Sequence, residues 1–259
     1  MAVLLDIDGV LTVSWEPLPG AVEAVRELRR SGRPFALLTN TTSRTRAGIT
    51  AALVGAGFPV TPDDVVTAPV LAAARLAGKR CHLLNSGDIR EDLAGLELVD
   101  ERPDVVLIGG AGPEFGYEAL NRAFGFLQDG ARLVALARNL SWQVTGGLSL
   151  DAGAFLLGLE AAARTEAEVI GKPSAAFFTA ALDLLGAAPA DSLMVGDDLD
   201  ADVLGAQAAG LTGVLVRTGK YRPSVPADGA DHVIGSIADL AGLLAAAEAG
   251  HGPGMGRGQ

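Results

Sequence analysis

Two acids spaced i, i+2 close an apolar run near the N-terminus: Asp6 and Asp8 follow Val3-Leu4-Leu5, and Gly9 lets the chain turn at once. On an extended strand this spacing sets both carboxylates on one face. The pattern recurs at Leu193-Met194-Val195-Gly196-Asp197-Asp198, with Asp202 shortly after. In a parallel α/β sheet, ligands collect at the carboxyl ends of the strands. Acids meeting there crowd one small volume, which is costly unless a hard cation occupies the gap. Mg²⁺, with its demand for oxygen ligands, suits such a cluster. Asp6, Asp8, Asp197 and Asp198 are therefore the expected metal ligands, Asp198 directly or through water.

Two further strand ends carry anion-binding groups, Thr39-Asn40 and Lys172. Each feature alone is commonly a turn former, a cap or a helix start. Together they match phosphoryl transfer, which needs a nucleophile, a cation, neutral donors and a fixed positive charge around the phosphoryl oxygens. Asp6 is the expected nucleophile, giving an aspartyl-phosphate. Asp8 is placed to protonate the departing alcohol and then to activate water. Thr39 and Asn40 are expected to donate to phosphate and Lys172 to supply its counter-charge. Asp202 is expected to orient Lys172 or a metal-bound water.

These residues resemble the four motifs of the haloacid dehalogenase superfamily of phosphatases: Asp6-Ile7-Asp8-Gly9-Val10-Leu11, Leu38-Thr39-Asn40, Gly171-Lys172-Pro173-Ser174, and Gly196-Asp197-Asp198 through Asp202. The stretch Val216-Arg217-Thr218-Gly219-Lys220-Tyr221-Arg222-Pro223 adds to the likeness. The long insertion between the second and third motifs resembles the α/β cap of the type IIA subgroup. The resemblance implies a Rossmann-like core and Mg²⁺-dependent hydrolysis of small phosphorylated substrates. Sugar phosphates, nucleoside monophosphates, phosphoamino acids and pyrophosphate all fit it, and it suggests a homodimer formed through the cap. Because Asp8 keeps its acid, phosphatase chemistry is favoured over dehalogenation.

Strands must carry these residues to a common edge, and the apolar patterning supplies them. Val3 to Asp6 and Phe35 to Leu38 alternate with helices over Ala21–Arg30 and Ala68–Ala77, and Thr39 to Ser43 are expected to cap the helix that follows them. From Lys79 a second alternation runs through strands at Cys81–Leu84, Val105–Ile108 and Arg132–Leu136 and helices at Ile89–Ala94, Tyr117–Leu127 and Ala152–Ala163. Outer strands are expected again at Val169-Ile170, Leu193–Val195 and Val214–Val216, with helices at Ala175–Leu185 and Asp202–Ala209. The expected organisation is a parallel-sheet α/β core from residues 1–78 and 165–249, an inserted α/β cap at 79–164, and a disordered tail at 250–259.

Composition sets the remaining bounds. Of 259 residues, 49% are hydrophobic and 20% charged, as in a folded globular protein. A net charge of −11 disfavours nucleic acid and anionic membranes as partners. The single cysteine, Cys81, excludes an intrachain disulfide and fits a reducing compartment. With neither a basic leader nor a long apolar segment at the N-terminus, the expected location is cytoplasmic. Gly110-Ala111-Gly112 has the wrong spacing for a dinucleotide loop, and Gly213 to Lys220 the wrong spacing for a phosphate loop, although Lys220 is placed near the site entrance. Trp142, in the insertion, is a candidate to close over a substrate or to pack. Two other classes use similar residues: a phospho-accepting receiver, which would hold its phosphoryl group stably, and an idle binding protein, which would show no turnover.

Overall fold

The computed structural model describes residues 1–144, 147–222 and 227–250. Of the tail expected at 250–259, residues 251–259 lie outside them, as does Pro223. The central sheet has six parallel strands in the order His232–Ile234, Thr212–Val216, Ser192–Gly196, Ala2–Asp6, Phe35–Thr39, Val65–Thr67. Ala2–Asp6 and Ser192–Gly196 are neighbours in register, Leu5 opposite Val195, so the two acidic strand ends lie side by side.

The inner strands are continuous apolar runs because both faces are covered. Val3, Leu5 and Leu37 point to one face, beneath the Ala21–Arg30, Arg46–Gly55 and Leu240–Gly250 helices. Leu4, Ala36 and Leu38 point to the other, against Ala68–Arg75 and Ala175–Leu185. In Ala21–Arg30, Ala21, Val25 and Leu28 form the buried stripe. The helix at Arg46–Gly55 is capped by Thr45, whose side chain accepts the Gly48 N–H at 3.1 Å, and not by the Thr39–Ser43 loop.

The insertion forms a second, five-stranded parallel sheet in the order Glu168–Val169, Arg132–Ala135, Val105–Ile108, Arg80–Leu84, Glu97–Leu98. Glu168–Val169 pairs with Arg132–Ala135, so this strand, expected in the outer sheet, belongs to the second one. Val106 and Ile108 face helices Tyr117–Gln128 and Ala152–Ala163. On the opposite face, Val105 and Leu107 join the same apolar cluster as Leu4 and Phe178, so hydrophobic packing runs unbroken between the two sheets. Ile89–Ala94, expected as a helix, is a string of tight turns, with Asp92 N–H donating to the Ile89 carbonyl and Leu93 N–H to that of Arg90. A short antiparallel hairpin, Ser141–Val144 with Gly147–Leu150, stands beside this second sheet. Among the described residues no helix is long and apolar enough to cross a membrane.

Candidate active site

Asp6 ends its strand buried, and its Oδ1 lies 2.5 Å from Lys172 Nζ, which also lies 2.7 Å from Asp202 Oδ1. Asp202 reaches back to this point because Leu199–Leu204 is a widened, π-type turn, started by Asp198 accepting the Ala201 N–H at 3.0 Å. Such single-turn widenings re-aim side chains and frequently mark functional sites. Asp202 Oδ2 then accepts the Asp198 N–H at 3.2 Å. Gly196 is needed for this approach, since a Cβ there would stand 2.1 Å from that of Asp202.

Asp197 lies on the other side of Asp6. Its Oδ2 accepts the Lys220 N–H at 2.7 Å, whereas its Oδ1 is buried with no hydrogen-bond partner. Two glycines make room for this carboxylate. Gly9 and Gly219 have φ of +88° and +58°, and a Cβ on either would come within 2.1 and 2.0 Å of Asp197 Oδ2. Thr218 Oγ1, 2.5 Å from the Gly9 carbonyl, ties the two loops together.

Asp6, Asp197 and Asp202 each offer a carboxylate oxygen within 4.8 Å of the others. An orphaned buried oxygen among close carboxylates is what a divalent-cation site presents before loading, so the donor set fits a hard metal ion. Of the expected ligands, Asp6 and Asp197 lie in this cluster, whereas Asp8 is turned to the Thr39–Thr41 hydroxyls and Asp198 pairs with Lys220 Nζ at 2.8 Å.

Thr41 donates its hydroxyl to Asp8 Oδ2 at 3.1 Å, and Thr39 donates to Thr41 Oγ1 at 2.9 Å. Asn40, expected to hold phosphate, has its side chain committed elsewhere: Oδ1 accepts the Lys172 N–H and Nδ2 donates to the Lys172 carbonyl, both at 2.9 Å. It fixes the backbone that presents Lys172. Thr41 was read from the sequence only as part of a capping loop, and Thr218 and Gly219 only as part of a family-like stretch, so none of the three had a role in the site. Trp15 packs against the core edge, with the Arg44 guanidinium 4.8 Å above its ring.

Burial dominates the electrostatics. It pushes the Asp6 carboxyl well above the usual range, against the pull of Lys172, and raises Asp8 as well. Burial, reinforced by Asp202, pushes Asp197 up to about 7. Asp198 goes the other way: burial opposes it, yet the Lys220 ammonium and the Ala201 amide hold it below its ordinary value. Lys172, though desolvated, is held firmly protonated by Asp202 and Asp6. Asp6, Asp8, Asp197, Asp198 and Asp202 outnumber Lys172 and Lys220, leaving a local negative excess that a cation would relieve.

The sequence model of the haloacid dehalogenase-like hydrolases matches residues 3–98, and that of the HAD-hydrolase-like group matches residues 169–240. The chain is 40% identical over 260 residues to the phospholysine phosphohistidine inorganic pyrophosphate phosphatase of Xenopus laevis, covering 95% of each. Its structure is similar to the p-nitrophenyl phosphatase of Archaeoglobus fulgidus, with a TM-score of 0.87, 27% identity and coverage of 93% of this chain and 98% of that one. It is also similar to a glycerol phosphate phosphatase of Mycobacterium tuberculosis solved in complex with magnesium, with a TM-score of 0.82, 29% identity and coverage of 92% and 75%. Sequence, fold and the grouping of acids around Lys172 agree: the chain belongs to the haloacid dehalogenase-like hydrolase family, as a phosphatase of its type IIA kind.

Proposed function

We propose that this chain is a Mg²⁺-dependent phosphatase of small phosphate monoesters, working through an aspartyl-phosphate on Asp6 with Asp8 as general acid and base. The observation that carries this reading is the buried Asp6–Lys172–Asp202 array beside the unpartnered oxygen of Asp197. Asp6 and Asp197, with Asp202 in the same cluster, would hold the ion. When bound, it withdraws charge from the phosphoryl oxygens and lowers their repulsion from the nucleophile.

The remaining chemistry belongs to the protein. Lys172 pulls the buried Asp6 carboxyl toward its ionised form, against desolvation, and offers positive charge to the incoming phosphoryl group. A carboxylate oxygen of Asp6 attacks phosphorus as the ester P–O bond breaks, and Asp8 gives its proton to the departing alcohol. Asp8, now basic, takes a proton from water, whose oxygen attacks the phosphorus of the aspartyl-phosphate. The P–O bond to Asp6 breaks, inorganic phosphate leaves and both acids return to their starting states. Thr39 and Thr41 orient Asp8, and Asn40 orients Lys172.

Cytoplasmic residence and a homodimer belong to the same reading. The lone buried Cys81 supports the first, and the exposed Leu140 and Leu157, apolar surface a second copy would cover, support the other. The decisive experiment is hydrolysis of p-nitrophenyl phosphate with and without Mg²⁺ by wild type and Asp6→Asn. Metal-dependent turnover lost in the variant is expected. Turnover that persists without Asp6 would overturn the mechanism.

A further inference from the structure

We propose that Trp15 and Arg44 are a positioning pair for Asp8, fixing the direction from which its carboxyl gives a proton to the leaving group. The inference deepens, and rests on, the phosphatase reading above.

Asp8 is exposed and stands beyond the strand that ends at Asp6, so other segments must aim it. Its backbone is bridged to Thr12, whose carbonyl accepts the Gly9 N–H at 2.7 Å. Its carboxylate accepts the Thr41 hydroxyl at 3.1 Å. Thr12 opens a hairpin whose strands, Thr12–Val13 and Glu16–Pro17, have 2 residues each. A hairpin so short takes its position from what it touches. The Thr41 segment is the firmer of the two: Thr42 Oγ1 accepts the Gly110 N–H at 2.7 Å, and Thr45 caps the helix that follows. Arg44, between those anchors, lays its guanidinium 4.8 Å above the Trp15 ring at the hairpin tip. Their contact closes a loop of interactions that runs from Asp8 through Thr12, Trp15, Arg44 and Thr41 back to the acid.

The conformation of the tip shows that this contact is held against strain. Ser14 and Trp15 have φ of +51° and +68°, the left-handed pair of a type I′ turn, for which Asn-Gly or Asp-Gly is the usual choice. A bulky side chain in this region is a marked exception, and such exceptions persist where the surroundings over-determine them. The Trp15 ring is seated between the core edge and the guanidinium. Arg44 in turn pairs with no carboxylate among the described residues, so the ring face is what directs its side chain. The hairpin is thereby pinned to the segment that holds the Asp8 carboxylate, and backbone and side chain of the acid are fixed in one frame.

The test uses two esters of similar shape, p-nitrophenyl and p-methoxyphenyl phosphate, in Mg²⁺. As the ester P–O bond breaks, its electron pair stays on the departing oxygen. Nitrophenolate leaves readily as the anion, whereas the more basic methoxyphenolate depends on the proton from Asp8. Hydrolysis of the aspartyl-phosphate is common to both and drops out of kcat/KM, and any loss of folded enzyme cancels in the ratio of the two values. Trp15→Gly suits the left-handed backbone and removes only the ring. In it, and in Arg44→Ala, the ratio of p-methoxyphenyl to p-nitrophenyl phosphate should fall about fivefold, the size of effect that a part-exposed cation–π contact can supply. The double variant should fall no further, and Arg44→Lys, which keeps a cation for the ring, should restore most of the ratio. An unchanged ratio in either single variant, or losses that multiply in the double, overturns the proposal. Wild type that hydrolyses neither ester would overturn the phosphatase reading with it, whereas Mg²⁺-dependent turnover with an unchanged ratio overturns the positioning pair alone.

Discussion

The side-chain amide of Asn40 bonds both polar groups of the Lys172 backbone, 2.9 Å in each direction, across 132 positions of sequence. Asn40→Ala should lower kcat for p-nitrophenyl phosphate by one to two orders of magnitude through misplacement of Lys172. It should also cost about 1–3 kcal/mol of stability, since two backbone groups lose partners. Steady-state kinetics and urea denaturation of the same preparations measure both effects.

Removing the cation itself has a different signature. Lys172→Met leaves Asp6 and Asp202 buried and uncompensated, at a cost of about 3–5 kcal/mol in the metal-free protein. Mg²⁺ should recover part of that loss, so the rise in Tm on adding Mg²⁺ is expected to be larger for the variant than for wild type. An equal or smaller rise would show that the acids do not share an ion.

Gly219→Ala probes the space around Asp197 without altering any charge. A methyl group would stand 2.0 Å from Asp197 Oδ2, on a backbone with φ of +58°. Strain of about 1–3 kcal/mol is expected. Mg²⁺ affinity by calorimetry should drop at least tenfold because Asp197 must move.

Lys220 touches two of the clustered acids through different groups. Its backbone N–H serves Asp197, but only its ammonium serves Asp198. Lys220→Met should therefore leave Asp197 in place while freeing Asp198. Mg²⁺ is expected to bind about threefold more tightly, as befits the loss of a partly exposed ion pair, while KM for phosphate esters rises. Movement of both constants in the same direction would contradict this division.

Arg138 and Glu160 provide a pH-dependent contribution to stability away from the acids. Burial opposes the shift, yet hydrogen bonds from Arg138 at 2.7 and 2.6 Å and from the Ala167 amide hold Glu160 below its usual range. A depressed folded-state pKa stabilises the protein above the ordinary glutamate value and ceases to do so as pH falls through the folded one. Glu160→Gln should thus be less stable than wild type at pH near 7, with the gap closing as the pH drops below about 4, a trend that urea titrations follow directly.

The architecture was legible because alternating apolar strands and amphipathic helices admit few arrangements, and because ligand-binding groups gather where such strands end. Asp6, Asp197, Asp202 and Lys172 converge for that reason. Their partners were not legible. Nothing in the spacing of Asn40 shows that its amide bonds the Lys172 backbone, nor in that of Asp198 that Lys220 pairs with it. Ile89 and Leu93 do share a buried face, but in six residues the chain satisfies this with turns and no helix. Val169 carries no mark of which sheet it will join, since apolar character specifies burial and not a neighbour.

Thr41 and Thr42 are adjacent in sequence, one bonded to Asp8 and the other to the loops of the second sheet. A cap taken from another family member would consequently bring its own pocket but arrive without the amide that Thr42 expects, and the grafted enzyme would misplace Asp8 although no catalytic residue had been changed. Recombining caps and cores in this lineage therefore requires that residues 41–42 and 109–111 travel together, a unit of inheritance that runs across the boundary between the two sheets.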